Sequence, residues 1–332
     1  LLGDSLAAAG LVLLMVQGDG FAARPGPGRA AGLGLSAGLI ALLRPQALLL
    51  VPLLAVWTAR RRGWPCGAAV LLAGAAALTP STLHNLRTGG GFAPVSDNGG
   101  INLYLAQSGP PSGTFRVVDE SFGDIAHQAE SAWRLAEAQA GRSLERHEVS
   151  GWFVGQAAQA VADDPALFLR RVALRARALV ETFETGIVTI PAVEAGTIPP
   201  LALLVLPFGA LLAAAGAAVV LGARRVLAGA PAAPAWAVTA MVVGTALVFF
   251  HYSRFRLPVI PLLAVLVGAG VDAVRERRPG LATWGLAVIV AASLAAMSRW
   301  SGPHYAQTRA NGWASLAEAR QALATTADQA AM

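Results

Sequence analysis

Arg254 and Arg256 stand in His251-Tyr252-Ser253-Arg254-Phe255-Arg256-Leu257-Pro258, between two long runs without a charged side chain, 226–253 and 257–271. A lipid-facing helix has no use for two guanidiniums there, because charge held near a bilayer is costly and is kept for function. Arginine presents a planar fork of donors that matches the oxygens of a phosphate. The plainer alternative is that both side chains snorkel to the headgroups. Two further arginines share this setting. Arg44 precedes Pro45 inside an apolar stretch, and Arg87 follows His84-Asn85-Leu86 at the end of another. Polar residues that could complete a pocket are Asp4, Asn98, Asn102, Tyr104, His251 and Tyr252. For Asn98, Asn102 and Tyr104, ordinary turn and loop packing competes with a pocket role.

The elements that must position these residues are membrane helices. Of 332 residues, 55% are hydrophobic and only 13% charged, well below the quarter usual in soluble domains. Every basic residue is arginine, and the net charge of +6 is dispersed in short turns. A nucleic-acid binder would gather it into one patch, so no nucleic-acid partner is expected and membrane lipids are. The single Cys66 excludes an intramolecular disulfide. Five scattered histidines, with no helical ligand spacing, argue against a hydrolytic metalloenzyme.

Apolar runs at 5–17, 30–43, 47–59, 66–80, 201–223, 236–250, 257–274 and 281–298 predict an all-α polytopic transmembrane helix bundle of about eight membrane helices. Gly18-Asp19-Gly20 reads as a turn, Arg44-Pro45 as a helix break, and Thr79-Pro80 as a helix end. Residues 1–83 and 199–300 then hold the membrane helices, 84–198 a large extracytoplasmic loop with amphipathic helices, and 301–332 a polar helical tail. Within the loop, helices are expected at 124–140, at 144–162 with Ser143 as cap, and from Asp163-Asp164-Pro165 to about Thr182. The last has Phe168, Val172, Leu179 and Phe183 on one face and Arg170, Arg171, Arg175 and Arg177 on the others. It suits a helix on the membrane surface or one in a soluble loop domain.

Placing the loop outside the cell membrane puts Arg24, Arg29, Arg60-Arg61-Arg62, Arg224-Arg225 and Arg275-Glu276-Arg277-Arg278 inside, as positive-inside topology requires. What remains outside works against that rule: Arg44, Arg87, Arg254 and Arg256, with Asp4 and His84. Their common face predicts a basic pocket at the extracytoplasmic mouth of the bundle, fit for a phosphate at headgroup level.

Four segments, in order, resemble the GT-C superfamily of membrane glycosyltransferases, in particular the protein-mannosyltransferase-like family 39. Leu42-Leu43-Arg44-Pro45-Gln46-Ala47 is similar to its Arg-Pro helix break, and Thr79-Pro80-Ser81-Thr82-Leu83-His84-Asn85-Leu86-Arg87 to the segment leading out of the next helix. Pro94-Val95-Ser96-Asp97-Asn98-Gly99-Gly100-Ile101-Asn102-Leu103-Tyr104 looks like its following extracytoplasmic segment. Tyr252-Ser253-Arg254-Phe255-Arg256-Leu257-Pro258 resembles its late arginine-proline motif. The resemblance implies transfer of a sugar from a polyprenyl-phosphate carrier to an extracytoplasmic lipid, glycan or protein, as part of cell-envelope assembly. Arg44, Arg87, Arg254 and Arg256 would hold the carrier phosphate, and Asp4, Asn98, Asn102, Tyr104, His251 and Tyr252 would line the pocket. No cofactor is required, and a divalent metal is left open. The family's catalytic acidic residue lies in an earlier loop that has no counterpart here, so it is expected upstream of Leu1.

Two other classes stay open. A transporter or flippase for a lipid-linked anion accounts for the helices and the basic mouth, but not for so large a loop. It would also call for paired broken helices in corresponding halves. A non-catalytic membrane scaffold accounts for the loop and tail.

Overall fold

The computed structural model describes residues 2–88, 91–108, 128–181, 207–223, 232–249 and 253–299. Every regular element among them is helical. Along the chain these are α1 (Leu2–Ala23), α2 (Pro27–Leu43), a 3-10 helix (Pro45–Leu49), α3 (Leu50–Arg62), α4 (Trp64–Arg87), α5 (Gly99–Gln107), α6 (Gln128–Ala140), α7 (Arg146–Asp163) and α8 (Pro165–Val180). They continue with α9 (Phe208–Ala218), α10 (Ala232–Val248), a second 3-10 helix (Ser253–Val259), α11 (Ile260–Arg277) and α12 (Leu281–Arg299).

Four helical stretches are long and apolar enough to cross a bilayer: Ser5–Ala23, Trp64–Arg87, Phe255–Glu276 and Leu281–Arg299. Three shorter apolar helices accompany them, at Pro27–Leu43, Phe208–Ala223 and Ala233–Val248. Seventeen residues of α2 rise about 26 Å, a little short of a hydrocarbon core of about 30 Å. Leu72, Val288 and Ile289 are broadly exposed, as lipid-facing side chains are.

The described residues of 1–179, 224–251 and 255–262 form one compact unit, and those of 180–223, 252–254 and 263–332 form another. The first holds a core around Leu11, Leu14, Phe21, Leu33, Leu50 and Val238. Its loop helices α5, α6 and α7 have a core of their own, with Ile101, Leu105, Ala136 and Phe153. In the second, α9 packs on α12, with Gly216 against Val290 and Leu294, and on α11, with Gly270 against Ala218.

Three boundaries differ from the sequence expectation. Gly18-Asp19-Gly20 is helical inside α1, not a turn. A Cβ on Gly18 would lie 2.2 Å from the Pro234 ring, so this glycine serves close helix approach. Pro80 does not end its helix, which continues to Arg87. The lost backbone donor is tolerated beside Thr79, whose hydroxyl donates to Ala75 O (2.9 Å), and Thr82, whose hydroxyl donates to Leu78 O (3.0 Å). Ser143 is not a cap. Glu145 caps α7 in a reciprocal box with Glu148, and Arg142 braces Glu148 through two bonds of 3.1 and 3.2 Å.

Two expected signals are found as read. Arg44 is extended (φ −143°, ψ 99°) between α2 and the 3-10 turn, so Arg44-Pro45 is a real break. Asp164 opens α8, accepting Leu167 N–H at 2.8 Å ahead of Pro165. The tail 301–332, with His251 and Tyr252, lies outside the described residues, as do the side chains of Asp4 and Arg254.

Candidate functional site

Helix directions in the first unit follow from its close approaches. Gly10 meets Ile40, so α1 and α2 are antiparallel. Gly34 meets Val70 and Gly38 meets Ala77, so α2 and α4 are parallel. Gly67 meets Ala59 and Gly74 meets Val51, so α3 runs against α4. Gly18 meets Pro234 at the start of α10, and α10 also packs on the Pro45–Leu49 turn at the other end, so α10 runs against α1. One end of the unit therefore collects Arg24, Arg29 and Arg60-Arg61-Arg62. The opposite end collects Arg44, Arg87 and the C-terminus of α10 at Val248. Of the arginines separated on sequence, Arg24, Arg29 and Arg60-Arg61-Arg62 stand at one end of this unit and Arg44 and Arg87 at the other.

Arg44 is half-buried. Its N–H donates to Ile40 O at 2.9 Å, and its own carbonyl accepts from Ala47 N–H at 2.8 Å. That backbone closes α2 and opens the 3-10 turn, which fixes where the guanidinium leaves the chain. Arg87 is exposed in the last turn of α4. From α2 near Gly38, level with α4 at Gly74 to Ala77, a rise of 1.5 Å per residue puts Arg87 about one to two turns beyond Arg44.

The loop is tied down at this end. Asn85 on α4 donates from Nδ2 to Ala93 O (2.7 Å) and Val95 O (3.2 Å). Segment 91–98 is thereby held against α4 and delivers Asn98 to the start of α5. Asn98 is exposed and Asn102 half-buried. Tyr104 packs its ring 5.0 Å from that of Phe153, within the loop core, a structural duty.

Arg256 is only 2% exposed, and it donates to Leu179 O in the last turn of α8 at 3.4 Å. Part of its donor fork therefore serves a helix end. Sequence reasoning missed a second such residue. Arg175 is 1% exposed and donates through one nitrogen to Leu247 O (2.9 Å) and Val248 O (3.1 Å), and through the other to Ala106 O. Those carbonyls close α10 and α5, where intrahelical donors run out and the dipole is negative. Gln107 adds a bond from Nε2 to Val248 O at 2.8 Å. Burial, and then the neighbouring Arg171, push Arg175 down to about 10; burial also lowers Arg171.

The face α8 turns inward is thus Arg171, Arg175 and Ala178, while Leu169 is 65% exposed. Of the apolar face expected for this helix, Phe168, Val172 and Leu179 are half-buried and Phe183 lies outside the described residues, so the most buried side lies beside that face rather than on it. Carbonyls at two helix ends compensate the buried guanidinium of Arg175. The i, i+4 spacing of Arg171 and Arg175 was the available signal. It reads equally well as a solvated face until the acceptors are seen.

Among the described residues, no three His, Cys, Asp or Glu side chains gather as a metal would need. Comparison with models of known protein families, with characterised proteins and with solved structures returns no match.

Proposed function

We propose that the chain is the carrier-binding portion of a membrane glycosyltransferase, which takes a sugar from polyprenyl phosphate and passes it to an extracytoplasmic lipid, glycan or protein. The observation that carries this is Arg44. It is a half-buried guanidinium set in a helix break, at the end of the unit away from the arginine-rich turns. Positive-inside orientation does not account for an arginine there, whereas an anion at headgroup level does.

In this account the carrier phosphate meets Arg44 and Arg87, at one end of the first unit. Arg256, bonded to Leu179 O, holds the end of α8. Asn98 and Asn102, on the segment that Asn85 anchors, are the polar groups nearest in sequence to a sugar or acceptor role. An acceptor hydroxyl attacks the anomeric carbon, and the carbon–oxygen bond to phosphate breaks with its electron pair leaving on the phosphate. The hydroxyl proton passes to a carboxylate of the kind the family resemblance implies. Guanidiniums already in place for the departing phosphate lower the barrier without reorganising during the step.

The test is binding of a short-chain polyprenyl phosphate to the purified chain in detergent. Arg44→Ala should weaken it at least tenfold, with helix content unchanged. Equal binding by the variant would remove Arg44 from the site.

A further inference from the structure

The opposite end of the first unit carries five arginines that the proposed transfer does not use. Phe21 on α1 stacks against Trp57 on α3, with ring centroids 5.1 Å apart. Arg24 follows Phe21 by about one turn, and Arg60-Arg61-Arg62 follow Trp57. Arg29 joins them, since its guanidinium donates to Arg24 O. All five arginines are exposed, and none is ion-paired among the described residues. On this end α1 offers them a single carboxylate, Asp19. Five like charges within a few turns repel one another unless an anion sits among them.

The surface leading away from these arginines is apolar and open. Leu53, Val56 and Arg60 lie on one face of α3, at i, i+3 and i+7, and both apolar members are exposed. Trp64, 77% exposed, opens α4 with Leu71 two turns along the same face. Exposed tryptophan at the rim of an apolar wall is the pattern of the bilayer interface. A basic rim above an apolar wall fits a molecule with an anionic head and hydrocarbon tails.

We infer that Arg24, Arg29 and Arg60-Arg61-Arg62 form a headgroup site for an anionic phospholipid, whose acyl chains lie along Leu53, Val56 and Leu71. A free phosphate would use the rim alone, and a nucleic acid would leave the wall uncovered.

The experiment is native mass spectrometry of the full chain, released from mixed micelles of phosphatidylglycerol and phosphatidylcholine. Wild type should retain phosphatidylglycerol in preference to phosphatidylcholine, and equimolar inorganic phosphate should not displace it. R60A/R61A/R62A should retain at least tenfold less, and R60K/R61K/R62K an intermediate amount. R24A/R29A, on other elements, should lower retention too, and it serves if the triple alanine variant fails to fold. Unchanged retention in the alanine variants, equal retention of the two lipids, or displacement by inorganic phosphate would each overturn the site.

Discussion

Arg175 and Arg256 put guanidiniums where helices run out of donors. Three carbonyls at the ends of α5 and α10 accept from Arg175, and one at the end of α8 accepts from Arg256. Arg175→Ala leaves those carbonyls buried without their charged donor, so it should cost about 3 kcal/mol. Chemical denaturation in mixed micelles would measure this, and Arg175→Lys should recover only part, because an ammonium cannot bridge two helix ends in one plane. Glu148 gives a second prediction. Its bond from Arg142, with the Glu145 N–H, holds its carboxyl below the usual range. A depressed folded value means the stabilisation is complete above the ordinary glutamate pKa and is lost as pH falls through the folded one. Protection factors of the first-turn amides of α7 should therefore drop on acidification below about pH 4.5, and Glu148→Gln should remove that dependence. Arg44 was legible in sequence because proline follows it and apolar residues surround it. Arg171 and Arg175 were not, since a helix with arginines on several faces does not say which face finds acceptors.

Elements were legible where chain chemistry and packing agree. Pro45 and Pro80 show the limit. Arg44 takes the extended backbone that a following proline favours, yet Thr79 stays helical before Pro80. Only the surroundings separate the two. Glycine misled in the same way at Gly18, where the sequence suggests a turn and the structure uses a missing side chain. At Gly63 the reverse holds: φ of +87° between α3 and α4 needs glycine, and the hairpin turns there. The tightest approach of α2 to α4 gives the element-scale prediction. A Cβ on Gly34 would lie 2.1 Å from Val70 O, and backbone cannot yield as a side-chain tip can. Gly34→Ala should cost about 1–3 kcal/mol, read as a lowered unfolding midpoint in detergent.

The first unit is polarised between two arginine-bearing ends. Membrane character was legible from composition, whereas four helices rather than eight meet the length and hydropathy needed for a full span among the described residues. The other apolar helices, Pro27–Leu43, Phe208–Ala223 and Ala233–Val248, fall below the length of a full span. If the two ends face opposite sides, Asp97→Cys and Arg62→Cys in a Cys66→Ser background should label from opposite sides of sealed vesicles. The most direct test of the central claim is sugar transfer from a labelled polyprenyl-phosphate donor by the protein in its native membrane. Arg44→Ala should lower the rate about 10²-fold, while R60A/R61A/R62A should leave transfer by correctly inserted protein within about twofold. Transfer by Arg44→Ala at the wild-type rate would contradict a carrier-phosphate site at that end.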